Sequence, residues 1–303
     1  MEYQVILFYK YVTIADPAEL AGRLRALAES LSLKGRLLIA EEGLNGTFEG
    51  LTADTDRFAS ELLEDPRFSD MQIKKSAGTG KSFPKLQVRV RKEIVGTKFP
   101  FEEVDPRIAT APRLSPEELR SWFESQQDFV VVDMRNDYEF ASGHFSNSIN
   151  PGLENSRDLP LALQKLEPLK GKKVVTVCTG GVRCEKMSAF LQKKGFSDVY
   201  QLDGGIHTYM EKYPAKDFLG TLYTFDGRLT MHFGGERSIV GRCRFCEAPT
   251  ERYFNCQNDS CHLHFLACDA CAKDAISDGP VEKMPCGDAC RAHHASLSSH
   301  VSA

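Results

Sequence analysis

No apolar run in this 303-residue sequence is long enough to cross a bilayer. The longest, such as Val5 to Tyr9 and Phe129 to Val132, fall far short of the roughly 20 residues a membrane helix needs. The opening Met1-Glu2-Tyr3-Gln4 lacks a basic segment and a cleavage site, so no secretory signal is expected and the expected compartment is the cytoplasm. An excess of positive charge is missing too. Lys and Arg number 38 against 42 Asp and Glu, a net charge of −4, which argues against a protein that coats DNA; no DNA or membrane partner is expected. There is no GxGxxG fingerprint, no haem motif and no evident 2-His-1-carboxylate set, so no nucleotide cofactor is evident. None of the ten cysteines precedes Cys178.

What is present is ordinary in bulk and uneven in detail. Hydrophobic residues at 42% and charged residues at 26% lie within the soluble globular range, and the length suggests about two domains. Eight cysteines crowd between Cys243 and Cys290 as Cys243-x2-Cys246, Cys256-x4-Cys261, Cys268-x2-Cys271 and Cys286-x3-Cys290. In a cytosolic chain this favours metal over disulfides, because a CxxC turn sets two thiolates on one side at the separation tetrahedral zinc requires. One or two structural zinc ions are expected, with His262 and His264 as possible substitutes and the pairing left open by spacing alone. A reduced, metal-free cluster or a thiol relay is the competing reading. Arg242, Arg244 and Arg252 near the first knuckle could touch phosphates.

Along the chain, Val5 to Val12 reads as a strand. Asp16-Pro17-Ala18-Glu19 reads as a capped helix start, followed by Leu20, Leu24, Leu27 and Leu31 on one face. Arg36 to Ala40 is a second strand. Glu41 to Gly46 is a loop into a third strand at Thr47-Phe48-Glu49, then a helix from Thr52 to Leu63 and a closing strand from Lys85 to Val90. That βαββαβ order predicts a ferredoxin-like α+β domain over 1–90. Residues 91–113, with Pro100, Pro106 and Pro112, read as a linker. Apolar strands at 129–133, 174–177 and 199–202 alternate with helices, which predicts an α/β domain with a parallel sheet over 114–216. A cysteine-rich region over 217–290 and a disordered tail over 291–303 complete the division.

Two local features carry chemistry. Cys178-Thr179-Gly180-Gly181-Val182-Arg183-Cys184 follows a buried strand and opens a helix. Such a glycine-containing loop turns backbone N–H groups inward toward the helix N-terminus, where an anion or thiolate is stabilised. With Arg183 adding charge, Cys178 is the expected nucleophile. Cys184 either resolves an oxidised or persulfidated Cys178 or packs in the first helical turn. The second feature is basic: Lys74, Lys75, Lys81, Lys85, Arg89, Arg91, Lys92 and Lys98 stand against Glu93 alone. They suit phosphate contact, or form a solvated strand face. Phe83, Phe99 and Phe101 could stack bases beside them, or belong to the core.

Cys178-x-x-Gly181-x-Arg183 resembles the active-site loop of rhodanese domains, in which the first cysteine carries a persulfide. Val131-Val132-Asp133-Met134-Arg135, Tyr138-Glu139, Gly143-His144 and Asp203-Gly204-Gly205 match in order, with Asp133, Arg135 and His144 as scaffold. With Glu41-Glu42-Gly43-Leu44-Asn45-Gly46-Thr47, Val90-Arg91-Lys92-Glu93-Ile94-Val95 and the cysteine-rich tail, nearly the whole chain resembles the bacterial rhodanese-domain tRNA uridine hydroxylases. The resemblance implies tRNA as substrate, 5-hydroxyuridine at the wobble position as product, molecular oxygen as co-substrate and Cys178 as the essential cysteine. The same loop also fits a persulfide-carrying sulfurtransferase.

Overall fold

The computed structural model describes residues 2–100, 103–273, 275–277 and 281–292. Its first unit runs β1 (Tyr3–Tyr11), α1 (Pro17–Ser30), β2 (Lys34–Ala40), β3 (Gly43–Leu51), α2 (Thr52–Leu63), β4 (Ile73–Ala77) and β5 (Leu86–Val90). The sheet order is β4-β1-β3-β2-β5, with β5 parallel to β2 and the other pairs antiparallel. The expected βαββαβ pattern is present, but Ile73–Ala77 closes it and Leu86–Val90 is an added fifth strand. β4 escaped the sequence reading because it is an edge strand, where polar and charged residues are tolerated. The β2–β3 hairpin also turns on Glu41 and Glu42 alone, since Ala40 pairs with Gly43. Leu44, Asn45 and Gly46 are therefore strand, not loop. Gly46 serves packing: a Cβ there would lie 2.5 Å from the Phe8 ring.

One face of this sheet packs on α1 and α2 through Ile6, Phe8, Leu37, Phe48 and Val88 with Leu20, Leu24 and Phe58. Pro17 opens α1 as expected, but the Asp16 side chain makes no cap bond and pairs with Arg67 at 2.8 Å. The other face carries Leu7, Tyr9, Asn45, Thr47, Arg36 and Leu38, and it is turned toward the second unit.

That unit comprises β6 (Arg113–Leu114), α3 (Pro116–Glu124), β7 (Val130–Asp133), α4 (Asp137–Ser142), β8 (Gly143–Phe145), α5 (Leu159–Leu166), β9 (Lys173–Val177), α6 (Val182–Lys193), β10 (Asp198–Leu202) and α7 (Gly205–Lys212). Strands β6-β10-β9-β7 form a parallel sheet. Ser115 and Glu118 form the reciprocal cap that starts α3. Apolar residues lie on both sheet faces, Val132, Val174 and Met187 on one and Val131, Val175, Val177 and Ile206 on the other. The stretch after Val90 is not a loose connector. Ile94, Val104 and Ala111 are buried, and the Phe99 ring stacks on Phe190 at 4.4 Å. At the C-terminal end, Tyr253–Cys256 pairs antiparallel with His264–Leu266 and parallel with Lys283–Met284 around a small core of Phe254, Phe265 and cysteines. Among the described residues no helix is long and apolar enough to cross a membrane.

Candidate active site

Cys178 directly follows β9, and α6 begins four residues later, as the loop geometry requires. Gly181 caps α6 with φ +104°, and its N–H donates to Cys178 Sγ at 3.2 Å. The Cys184 N–H bonds Gly181 O at 3.0 Å and closes the turn. Burial pushes the Cys178 thiol up, but the polar surroundings at Cys184 and along the loop backbone, with the Arg183 charge, outweigh it and bring it down to about 6. Cys184, fully buried beside it, is held well above the ordinary value by burial and by Cys178. At neutral pH the pair is one thiolate and one thiol. The loop is fastened to the start of α7: Ile206 N–H donates to Cys178 O and His207 N–H to Thr179 O, at 2.9 and 3.0 Å. Burial and nearby Lys74 and Arg228 lower His207 to about 4, so it is neutral. Gly205 is required here, because a Cβ would lie 2.6 Å from Cys178 O.

Arg183 does not aim at the sulfur. Its guanidinium grips Glu139 at 2.5 and 2.8 Å and donates to Thr179 Oγ1 at 3.1 Å. Burial opposes the Glu139 charge, but Arg183 and Arg135 hold its carboxyl below the usual range. Arg183 therefore acts on Cys178 from a fixed position across the loop. Asp133 and Arg135 form a fully buried pair, Arg135 donates to Gly143 O at 2.6 Å, and His144 Nδ1 lies 3.0 Å from Phe140 O. These three are scaffold.

The free face of the N-terminal sheet sits on this loop. Tyr9 OH donates to Glu185 Oε1 at 3.2 Å, and Tyr11 OH to Val182 O at 3.3 Å. Glu185 also pairs with Arg113 at 2.5 Å and accepts from Gln201 at 3.2 Å. Lys186 pairs with Glu42 of the hairpin turn at 2.8 Å and with Glu93 at 2.9 Å. Glu42 Oε1 accepts from Ile94 N–H at 2.8 Å. Three sequence segments, around Glu42, Glu93 and Lys186, thus meet at one buried joint.

Beside the joint lies a cavity of about 340 Å³ lined by Leu7, Tyr9, Asn45 and Thr47 from the sheet, by Thr179, Gly180, Val182 and Arg183 from the loop, and by Phe83, Phe225, Arg36 and Arg157. The Cys178 sulfur is fully buried behind the loop residues that line it. Phe225 is 46% exposed and offers an aromatic face; Arg36 and Arg157 have no ion pair among the described residues. Tyr9, Arg36 and Phe225 have no site role in the sequence reading, and Glu139 stands there only as part of the rhodanese match, without its Arg183 partner. Only the alternation of β1 could have flagged Tyr9.

The basic segment is split by strand alternation. Lys81, Lys85, Arg89, Arg91 and Lys92 are exposed, and Arg89 pairs beside Leu38 on the cavity-facing side. Lys74 is 8% exposed, lies 5.6 Å from the Tyr9 ring centroid and is lowered by burial. Lys75 points to the opposite face and pairs with Asp56 at 2.6 Å. So Lys74 and Lys75 leave the expected phosphate-contacting set. Phe83 is buried but lines the cavity, Phe99 is core, and Phe101 lies outside the described residues. Arg244 bonds Cys286 O and Arg252 pairs with Glu282 and Asp269.

The eight C-terminal cysteines gather as Cys243, Cys246, Cys268, Cys271 and as Cys256, Cys261, Cys286, Cys290, each group with its sulfurs within 4.8 Å. Sulfur separations of 3.5, 3.7 and 3.6 Å for Cys246–Cys268, Cys261–Cys286 and Cys286–Cys290 approach the ~3.8 Å edge of a tetrahedron of thiolates ~2.3 Å from an ion. The pairs interleave along the chain, which spacing could not reveal. His262 and His264 are outside both groups; His264 stacks on Tyr253 at 4.7 Å. Both groups could hold a metal ion.

Fold and site define a three-part rhodanese protein. Residues 3–94 match the UPF0176 acylphosphatase like domain, 115–212 the rhodanese-like domain and 219–292 the rhodanase C-terminal family. A rhodanese-like domain protein of Staphylococcus aureus with a solved structure is 28% identical, covering 32% of this chain and 90% of its own, with a TM-score of 0.28. The tRNA uridine(34) hydroxylases of Staphylococcus carnosus and Staphylococcus aureus are 43% and 44% identical over 270 residues, 88% of this chain and 84% of each relative. The chain belongs to the tRNA uridine(34) hydroxylase family.

Proposed function

We propose that this protein hydroxylates uridine 34 of tRNA at C5 to give 5-hydroxyuridine, with molecular oxygen as co-substrate and Cys178 as nucleophile. The observation that carries this reading is the cavity between the N-terminal sheet and the Cys178 loop. Its volume falls at the lower end of small-molecule sites, suited to one extruded base, and a cysteine poised as thiolate lies behind one wall. A wobble base splayed from the anticodon would stack on Phe225, with Arg36, Arg157 and Arg89 near its phosphates. The thiolate, or a persulfide carried on it, adds to C6 of the uracil ring and makes C5 electron-rich enough to be oxidised. Because Leu7 and Tyr9 close over Gly180 and Gly181, base entry parts these contacts before the sulfur is reached.

Zinc is the ion that best suits the two four-cysteine groups, which would hold it through thiolates alone. A closed four-sulfur set serves structure, and here it would stiffen a region with a very small apolar core.

The test is mass spectrometry of nucleosides from total tRNA of cells lacking the gene, complemented with wild type or Cys178→Ser. Loss of 5-hydroxyuridine derivatives, restored by wild type alone, is the expected result. Full restoration by Cys178→Ser overturns the role of the cysteine. An unchanged profile in deleted cells, together with sulfur transfer from thiosulfate by the purified protein, favours the sulfurtransferase.

A further inference from the structure

Asn45 belongs to the Glu41-to-Thr47 motif, and the chemistry proposed above leaves it unused. It stands on the cavity-facing side of β3, between Tyr9 of β1 and Leu38 of β2, and lines the cavity. Polar neighbours there are already committed: the Tyr9 hydroxyl donates to Glu185, and Thr179 and Arg183 are bound to Glu139. Asn45 is only half committed. Its Nδ2 donates to Ile94 O at 3.2 Å, and its Oδ1 has no hydrogen-bond partner among the described residues. A carbonyl can only accept, so the amide nitrogen must face Ile94 and the carboxamide cannot turn over. Ile94 is itself held, since it is 1% exposed and its N–H donates to Glu42 Oε1 at 2.8 Å, with Glu42 paired to Lys186. A free acceptor is thus fixed on the sheet wall of the cavity.

We infer that Asn45 selects uracil over cytosine, its Oδ1 accepting the N3–H of the inserted base. The inference rests on the hydroxylase reading above. Uracil carries a hydrogen on N3 between two carbonyl oxygens, whereas N3 of cytosine is a bare acceptor that would meet Oδ1 lone pair to lone pair. A carboxamide free to turn would suit both, because exchanging its oxygen and nitrogen matches it to either edge. The Ile94 carbonyl removes that freedom. Cytosine would leave Oδ1 and its own N3 unpaired in a closed site, a mismatch that hydrogen-bonding sites reject strongly. N3 also lies across the ring from C6. With N3 toward the sheet, the base keeps C5 and C6 toward the Cys178 loop, so one contact both selects the base and sets which edge reacts.

The experiment is equilibrium binding of the full-length protein, under nitrogen so that nothing is oxidised, to synthetic anticodon stem–loops. These carry uridine, N3-methyluridine or cytidine at position 34 and are otherwise identical. Wild type should bind the uridine loop roughly 10- to 100-fold more tightly than the other two, the worth of one hydrogen bond whose loss leaves a closed-in acceptor unpaired. Asn45→Ala removes the acceptor and makes room for the methyl group, so the three loops should bind alike. A role only in bracing the sheet would weaken all three equally and leave the ratios unchanged. Asn45→Val, which keeps a strand-forming residue, serves in its place if circular dichroism shows the alanine variant unfolded. Equal wild-type affinity for the three loops overturns the inference, as does an undiminished preference in a folded Asn45 variant; hydroxylation then still stands on the nucleoside analysis above. No binding of any loop overturns the reading of tRNA as substrate, and this inference with it.

Discussion

Replacing Lys186 with Met should loosen the joint between the N-terminal sheet and α6 more than any neighbouring surface change. The ammonium is 4% exposed and faces Glu42, 2% exposed, and Glu93, 23% exposed. Methionine keeps most of the buried alkyl stem, so the loss is electrostatic. Removing one partner of a buried pair costs about 3–5 kcal/mol because the remaining charge stays uncompensated. Glu93 can rehydrate and keeps Thr97 and Lys98 as donors, whereas the buried Glu42 keeps Ile94 N–H as its one hydrogen-bond donor among the described residues. The lower end, about 3 kcal/mol, is therefore expected. At roughly 2–4 °C per kcal/mol for chains approaching this size, the melting temperature should fall by about 6–12 °C. Glu42→Gln alone should cost less, since Lys186 retains Glu93, and the Glu42→Gln/Lys186→Met double variant should recover part of the loss. The effect also has a pH signature. Half-burial pushes the Glu93 carboxyl up, but Lys186, Thr97 and Lys98 hold it below its ordinary value. A depressed carboxyl contributes stability above its unfolded pKa, about 4.3, and loses it as pH falls through the folded value. The gap between wild type and Lys186→Met should narrow below about pH 4. Thermal melts of all three variants across pH 3.5–8 decide the matter, and a Lys186→Met shift under about 1 °C at pH 7 would refute the argument.

With Cys178 at about 6, the single-turnover rate should climb to half its plateau near pH 6 as the thiolate forms, and Arg183→Met should move that midpoint upward; a midpoint staying above 8 speaks against a preformed thiolate. Metal analysis of the purified protein should find two zinc ions per chain, and Cys246→Ser should lose one while the Cys256 group retains its own. Arg36→Ala and Arg89→Ala should each weaken tRNA binding and lower the salt slope by just under one, while Lys75→Ala, already paired with Asp56 on the far face, should leave both unchanged.

Features written in local sequence were the readable ones. Thr52–Leu63, the Ser115 cap, the buried parallel strands and the Cys178 loop all follow from periodicity, capping residues or glycine placement within a few positions. What sequence hid depends on distant partners. Ile73–Ala77 has little apolar pattern because its order in the sheet, not its composition, makes it a strand. A run of cations looked like one stripe, yet β4 sends Lys74 and Lys75 to opposite faces, one burying against Tyr9 and the other meeting Asp56. Arg183 appeared as a charge for the sulfur, and only the fold supplies the Glu139 that fixes it. The interleaving of the cysteine pairs likewise needs the 253–256 and 264–266 strands to bring distant knuckles together.

The joint also bears on which rhodanese chemistry this chain performs. A persulfide carrier that hands sulfur to diffusible acceptors gains from an open loop, since exchange requires a second thiol to reach the first. Here Leu7 lies against Gly180, Tyr9 against Gly181, and Tyr9 and Tyr11 are hydrogen-bonded to α6. The covering sheet is held by buried ion pairs at Lys186 and by the Arg113–Glu185 contact. Such closure excludes water and small thiols from Cys178 and couples access to the element that carries Arg36 and Arg89. A substrate that engages those cations while parting the sheet from the loop would open its own path to the sulfur. A polyanion with one extruded base satisfies both demands, and thiosulfate or cyanide satisfies neither. The same coupling predicts that hydroxylation is far more sensitive to Lys186→Met than sulfur transfer from thiosulfate, whose rate should rise as the cover loosens. Parallel assays of both activities on one preparation measure this, and equal loss of the two would remove the argument for a gated site.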